Sequence, residues 1–306
     1  MASISSAVVM EFGCGEWKTA NKWQQWQRTS GVSRCLRTAD AIAAGKYGEM
    51  LIWDAKTFEQ VFSRREEGKY ILGVDFSPDS TRLVTASQNR TATVWDVATR
   101  ELVQTLHHED IVIAVKYSPQ GDRIATATLD GPVRVWDGND GRLLVDIPVK
   151  VTPQFNTGLL WSNNHLFVVS GSAIKQLEAS TGSAVSEWLV PDADNWSCIA
   201  LSKHAGFIAY SGHELDSTVT FWDTSTHIQL GLIQHTRPVR SIAFSPDDRF
   251  LAIGGKDGKI TIRSLSRITV STVFLWIMAH LNNLCRSSFR IGSNPCVPSS
   301  SHVPGS

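Results

Sequence analysis

The dipeptide Trp-Asp occurs at Trp53-Asp54, Trp95-Asp96, Trp136-Asp137 and Trp222-Asp223, each time closing a short run rich in β-branched residues. Successive tryptophans stand 42, 41 and 86 residues apart, so the last interval has room for one more copy. A repeat of this length is one supersecondary unit that cannot bury its own face, and its copies must stack to make a core. The period therefore constrains the architecture before any other feature is considered.

The surrounding text repeats too. Residues 74–79 read VDFSPD, 115–120 VKYSPQ and 242–247 IAFSPD, each an alternating strand closed by Ser-Pro and a polar residue. Proline presets φ for a turn, so these are strand ends with a mechanism. A second strand follows at 82–87, 123–128 and 250–255, then a polar turn and a third strand ending at the Trp-Asp place. A fourth strand leads on to the next unit. With the strands of a unit named a to d in chain order, this register exposes two copies without the dipeptide. One ends at Leu177-Glu178 and is followed by Thr181-Gly182, where the preceding unit has Asp140-Gly141. The other ends at Arg263-Ser264, after 258–262. Six units are expected, with third strands ending near 53, 95, 136, 177, 222 and 263. Val8–Phe12 is a candidate partial seventh, because Phe12 precedes Trp53 by 41 residues.

Over roughly residues 30–265 this pattern resembles the WD-repeat (WD40) β-propeller family, whose blade is a four-stranded sheet stacked radially around a channel. The resemblance implies an all-β propeller of six recognisable four-stranded blades. It also implies a hydrogen-bonded His, Ser/Thr, Asp and Trp tetrad within a blade. The third unit has all four, as His108, Thr126, Asp130 and Trp136. The second has Thr85 and Trp95, with Glu67 and Asn89 at the other places; the fifth has Asp216 and Trp222. The sixth has His235 and Asp257 without the tryptophan, and the first has only Trp53, with Tyr47 where Asp is expected. The repeat tryptophans Trp53, Trp95 and Trp222 are read as packing residues. The worn copies and Ser-Pro-Asp turns look most like the arrays of fungal and bacterial proteins that also carry a NACHT-type switch domain.

Three segments are expected: an N-terminal flank at 1–30, the propeller at 31–271, and an apolar run with a Ser/Pro-rich tail at 272–306. The flank holds Trp17, Trp23 and Trp26 and is a candidate ring-closing strand or short helix. The run 270–279 is about half the length a bilayer crossing needs, so a strand is the expected reading. Residues 280–306 contain no Asp or Glu and no periodic pattern, so disorder or non-native sequence is expected there.

Lys plus Arg and Asp plus Glu both total 29, which offers no general attraction to nucleic acid or an anionic membrane. The five cysteines are scattered, without CxxC or metal spacing, and the first residues do not read as a signal peptide. The expected compartment is the cytoplasm, with the nucleus left open. Gly254-Gly255-Lys256 lacks the spacing of a phosphate loop. His107-His108-Glu109-Asp110 offers metal-ligand types but no further ligand at a defined spacing. No G-x-S-x-G setting appears, so no catalytic residue, cofactor or metal is expected.

Function in such a chain falls to loops held on a rigid scaffold. The family likeness puts the docking surface on the end bearing the d–a loops and b–c turns. Its candidate contact residues are Lys69, Tyr70, Asn89, Arg90, Asp110, Asp130, Asp194, Asn195, Trp196, Arg237 and Lys256. The expected role is a non-catalytic scaffold, adaptor or sensor module that binds a protein or peptide. The alternative is an obligate subunit of a larger complex, such as a ubiquitin-ligase substrate receptor or an RNA-processing scaffold. An enzyme ranks third.

Overall fold

The computed structural model describes residues 34–37 and 41–265 apart from 55, 58, 130, 152–157, 191–197, 213–214 and 246, with backbone only at 34–37, 46–48 and 66–69. These residues lie in one compact unit, Met1–Leu265; the second unit, Ser266–Ser306, falls outside the description. So do Val8–Phe12, the three flank tryptophans, the 270–279 run and the tail.

Every regular element among the described residues is a β-strand, and the strands follow the repeat. The first blade holds β1 (Arg34–Arg37), β2 (Ala41–Asp54) and the first part of β3 (Gln60–Phe76). The second holds the last part of β3, β4 (Arg82–Ser87), β5 (Thr91–Asp96) and β6 (Leu102–His107). The third is β7 (Val112–Tyr117), β8 (Arg123–Thr128), β9 (Val133–Asp137) and β10 (Leu143–Ile147). The fourth is β11 (Leu159–Ser162), β12 (His165–Ser170), β13 (Ala173–Glu178) and β14 (Ala184–Leu189). The fifth is β15 (Cys198–Leu201), β16 (Phe207–Ser211), β17 (Thr218–Asp223) and β18 (Gln229–Gln234). The sixth shows β19 (Val239–Phe244), β20 (Phe250–Gly255) and β21 (Ile260–Ser264). Each is an antiparallel meander, and together they form a six-bladed β-propeller arrangement. One feature departs from simple repetition. β3 is continuous, pairing with β2 between residues 60 and 70 and with β4 through 71–76, so the first two blades share one sheet.

Burial explains the layering. The b strands β4, β8, β12, β16 and β20 are buried along almost their whole length. The d strands β6, β10 and β14 are mostly exposed and bury chiefly Leu106, Ile147 and Trp188. Each apolar cluster crosses a boundary between blades. Met50 and Ile52 meet Ile71, Leu83 and Trp95; Val94 and Leu106 meet Val112, Ile124 and Trp136. Val133 and Ile147 meet Leu159 and Leu166, and Phe167 and Trp188 meet Ile199 and Tyr210. At roughly 1.5–3 kcal/mol for each fully buried large side chain, these shared interfaces are the main stabilising term. Polar staples reinforce them. Buried Asp75 of the second blade accepts the Tyr117 N–H at 2.7 Å and Lys116 Nζ–H at 3.2 Å from the third. The Asp248 carboxylate of the sixth accepts the Lys203 N–H of the fifth at 2.9 and 3.0 Å.

The turns show what the aspartate of Trp-Asp does. Asp54 Oδ1 accepts the N–H groups of Lys56 and Thr57 at 2.8 and 2.7 Å, and Asp96 Oδ1 those of Ala98 and Thr99 at 3.0 and 2.7 Å. Asp137 and Asp223 do the same for 139–140 and 225–226. The N–H groups of Thr57, Thr99 and Asn139 hold the carboxyls of Asp54, Asp96 and Asp137 below their ordinary range. In the a–b turns serine is the pin: Ser77, Ser118, Ser202 and Ser245 Oγ accept the N–H five residues on, at 2.9, 3.0, 3.1 and 2.9 Å. Ser202 does so with lysine rather than proline after it, so the hydroxyl suffices to shape that turn.

The four fully described c–d turns each hold a left-handed residue at the same place. Gly141 and Gly182 supply it freely at φ 71° and 75°, whereas Arg100 and His227 are forced there at 65° and 59°. A Cβ makes that region costly. Arg100→Gly is therefore expected to stabilise the chain by about 0.5–1 kcal/mol, after allowing for glycine's greater unfolded-state entropy. Urea unfolding checks this, and a loss of stability would mean that the Arg100 side chain makes a contact worth more than the strain.

Candidate interaction face

One end of the propeller is assembled by backbone hydrogen bonds that link the b–c turns to the d–a loops or, in the second blade, to Tyr70, which with Lys69 lies inside the continuous strand β3 rather than in a loop. Gln88 N–H donates to Tyr70 C=O at 3.0 Å, Leu129 N–H to Ile111 C=O at 2.9 Å, and Lys256 N–H to Pro238 C=O at 2.8 Å. Val190 N–H donates to Ser172 C=O at 3.0 Å, and Val239 N–H to Asp216 C=O at 2.8 Å. Four of these bonds join residues 18 apart within one blade, and the Val239 bond runs from the fifth b–c turn to the first residue of β19. Loops tied in this way present side chains from a fixed base.

The candidate contact residues divide by what their side chains already do. Tyr70, Arg90, Arg237 and Lys256 are exposed. Asn89 turns back on its own turn, its Oδ1 accepting the Thr91 N–H at 3.0 Å and the Thr91 hydroxyl at 2.6 Å. Asp110 is half-buried and its Oδ1 accepts the Ile111 N–H at 2.7 Å. Lys69 is placed by its backbone alone, and Asp130, Asp194, Asn195 and Trp196 lie outside the described residues. Leu189, at the end of β14, and Leu215, in the fifth b–c turn, were not among the candidates, yet they are 74 and 65% exposed at this same end. The available signal was a large apolar residue standing in a turn or at a strand end.

Gly254 and Gly255 are the last residues of β20. A Cβ on Gly254 would lie 2.3 Å from Ser241 Oγ, so close strand packing accounts for that glycine. Among the described residues, no three His, Cys, Asp or Glu side chains gather as a metal ion would require.

Beneath the face runs a polar chain in the third blade. Trp136 Nε1–H donates to Thr126 Oγ1 at 2.8 Å, and Thr126 Oγ1 lies 2.8 Å from His108 Nε2. His108 Nδ1 lies 3.0 Å from the Leu106 carbonyl, which can only accept, so Nδ1 carries the proton and Nε2 takes the Thr126 O–H. The imidazole is neutral in this arrangement, and burial pushes its pKa down from 6.5 to about 4. In the second blade the Trp95 Nε1–H donates to Thr85 Oγ1 at 3.2 Å.

The worn blades move the hydroxyl across the strand pair. Thr126 on β8 faces Arg134 on β9; at the same register the fifth blade pairs Tyr210 with Thr220 and the sixth pairs Ile253 with Thr261. Trp222 Nε1–H donates to Thr220 Oγ1 at 3.0 Å, and His235 Nε2 lies 3.1 Å from Thr261 Oγ1. The hydroxyl absent from strand b is thus supplied by the residue directly opposite on strand c. Alignment on the b-strand threonine misses this, because it looks for the group along the chain rather than across the ladder.

A family model for "WD domain, G-beta repeat" matches residues 58–96, 100–137 and 227–264. This chain carries WD40 repeats. Matched repeats end at Asp96, Asp137 and Ser264, the last residues of β5, β9 and β21. Among curated relatives, human "Transducin beta-like protein 3" is 26% identical over 39% of the chain and 15% of its own length. "WD repeat-containing protein 1" from Xenopus tropicalis is 41% identical over 21% of the chain and 11% of its own length. Its Gallus gallus counterpart is 25% identical over 69% of the chain and 29% of its own length. The WD40 array thus spans less than a third of these relatives. A chain in the structure "Crystal Structure of Mitotic Checkpoint Complex" superposes with a TM-score of 0.65 at 18% identity, covering 76% of this chain and 74% of that one. That likeness concerns the fold.

Two outcomes are expected of the polar chains. Thr126→Val strands the buried Trp136 N–H and removes the donor to His108, costing about 1–3 kcal/mol for each group stranded, whereas Thr220→Val takes the acceptor from the half-buried Trp222 N–H and one donor from the Tyr210 C=O and should cost less, because water can reach Trp222. Equal losses in denaturant unfolding would contradict this ranking. The His108 pKa gives the pH dependence its sign. Unfolded chain takes the proton as pH falls through 6.5 and the folded chain only near 4, so this contribution is complete above 6.5 and is lost on the way down to 4. The loss amounts to about 3 kcal/mol, and it should be smaller in His108→Gln; identical pH–stability curves would refute it.

Proposed function

We propose that this propeller is a non-catalytic protein-interaction module that takes a protein or peptide on the end bearing the d–a loops and b–c turns. The observation that carries the reading is the set of backbone bonds from 111 to 129, 172 to 190 and 238 to 256, with the bond from Tyr70 of β3 to Gln88, each of which ties a b–c turn to another segment of its own blade. Binding to a preorganised surface avoids part of the ordering cost of association. Exposed Tyr70 and Arg90 are of the residue types that anchor interfaces, and Leu189 and Leu215 add apolar contact area. Cytoplasm is the compartment this reading adopts.

A second reading, an obligate subunit of a larger complex, is favoured by another observation. Most of the exposed large apolar side chains among the described residues lie on the outer strands: Val61, Leu102, Val103, Leu143, Leu144, Val185 and Leu232. If a permanent partner covers them, the isolated chain will self-associate, whereas a recognition module will stay monomeric in light scattering.

Affinity capture from native extract separates the readings further. Wild type is compared with Tyr70→Ala/Arg90→Glu on the loop end and with Leu102→Ser/Leu143→Ser on the outer strands, each checked for its melting temperature. Loss of partners with the loop-end variant alone is the expected result. Loss with the outer-strand variant alone would move the site to the rim.

A further inference from the structure

The outermost strand of a blade leaves one row of backbone N–H and C=O groups unpaired, a template on which another strand can add. Most outer strands of this propeller are guarded by a charged or titratable side chain. The outer part of β3 carries Arg64 and Arg65, β10 carries Asp146, β14 carries Glu187, and β6 ends in His107. β18 is different. It reads Gln-Leu-Gly-Leu-Ile-Gln, without charge or proline, and it is the last strand of its four-stranded sheet. None of its six residues is buried, whereas β6, β10 and β14 bury Leu106, Ile147 and Trp188. Leu232 is 57% exposed, and Ile228, just before the strand, is 53% exposed. On the neighbouring β17 the only charged residue is Asp223, its last, whose Oδ1 already accepts the N–H groups of Ser225 and Thr226.

The backbone of β18 sets the register in which a strand can add. His235 N–H donates to Ser217 C=O at 2.6 Å, and the ladder pairs Val219 with Ile233 and Phe221 with Gly231. Hydrogen-bonding direction alternates along a strand, so the groups of Ile233 and Gly231 face β17 while those of Leu232 and Gln234 face outward. The bulge of this ladder lies at Phe221/Trp222 and leaves 231–234 regular. A second copy of β18, laid antiparallel with Leu232 at the two-fold axis, satisfies the outward groups of both strands. That register sets Leu232 against Leu232, Gly231 against Ile233 and Leu230 against Gln234. Apolar side chains meet across the axis and no charge faces another. A Cβ on Gly231 would find nothing within 4 Å, so the isoleucine opposite has open space to fill. The Gln234 side chain stays on its own blade, where its Nε2–H donates to Ser217 Oγ at 2.8 Å. A contact made by the same patch on both partners closes after two copies.

We propose that two copies of this chain join their fifth blades edge to edge, through an antiparallel β18–β18 pair with Leu232 on the two-fold axis. The contact lies on the rim and is independent of the docking face at the loop end. Confined to one edge strand, it is small, so the dimer is weak and concentration-dependent. The antiparallel pair points the two loop ends in opposite directions, and the dimer offers its docking faces to partners on opposite sides.

Analytical ultracentrifugation of the whole chain over a wide concentration range tests this. Wild type is expected to pass from monomer to dimer and no further. Leu232→Lys sets two ammonium groups against each other at the axis and is expected to weaken dimerisation by about tenfold or more. Val185→Lys, on β14 and comparably exposed at 52%, is expected to leave it unchanged. Melting temperatures show that both variants remain folded. Leu232→Cys reads the register: Cα atoms of a hydrogen-bonded pair stand about 5.5 Å apart, within disulfide reach. Mild oxidation is therefore expected to link Leu232→Cys into a dimer that neither wild type nor Ile228→Cys forms. A wild type that stays monomeric at every concentration, equal weakening by the two lysine variants, or equal cross-linking by the two cysteine variants would overturn the proposal. With this pair formed, it is the Leu232→Lys chain rather than wild type that stays monomeric in a recognition module, and that result supports the β18 pair. Self-association that persists undiminished in Leu232→Lys belongs to the other outer strands, favours the obligate-subunit reading and rejects the β18 pair.

Discussion

A blade of this propeller has two apolar faces and no means of covering either by itself. Its b strand is buried along nearly its whole length, and the apolar clusters that bury it each draw on two neighbouring blades. Stability is therefore a property of adjacent pairs, in the manner of other stacked repeats. The staples follow the same geometry: Asp75 reaches Lys116 and Tyr117, and Asp248 reaches the Lys203 N–H, each across a blade boundary.

Because packing is done by strands, polar groups inside a blade serve mainly to hold tryptophan or histidine in place. A buried N–H needs an acceptor but does not require that it come from a particular strand. Thr126 supplies it from β8, Thr220 from β17, and Thr261 holds His235 from β21. The paired residues of an antiparallel ladder are close enough for either to offer the hydroxyl. Repeats that look worn along the chain are in this respect intact across it. The sixth blade goes further, turning its histidine from internal packing toward the backbone of Arg237.

Much of this architecture was legible in the chain because a repeat states its own boundaries. The Trp-Asp interval placed the ends of β5, β9 and β17, and the same interval located β13 and β21 where the dipeptide had gone. The continuity of β3 across two blades was not legible, since it arises where the link between strands stays extended rather than turning. Among the loop residues, sequence reading picked Tyr70, Arg90 and Arg237, which are exposed. It did not distinguish Asn89 and Asp110, whose acceptors are turned to neighbouring backbone N–H groups. Asparagine and aspartate readily make such local bonds in turns, so residue type alone leaves their role open.

By itself, the sequence determined that this chain is an all-β array with its tryptophans at strand ends and its polar residues gathered in turns. Period and alternation are local properties, written residue by residue. Only the tertiary structure decided which hydroxyl meets Trp222, which blade boundaries carry a carboxylate staple, and that Lys256, Lys259 and Arg237 share one end of one blade. Those contacts join residues that are distant along the chain or opposed across a ladder. Their partners are set by register and by blade packing, which no stretch of sequence specifies alone.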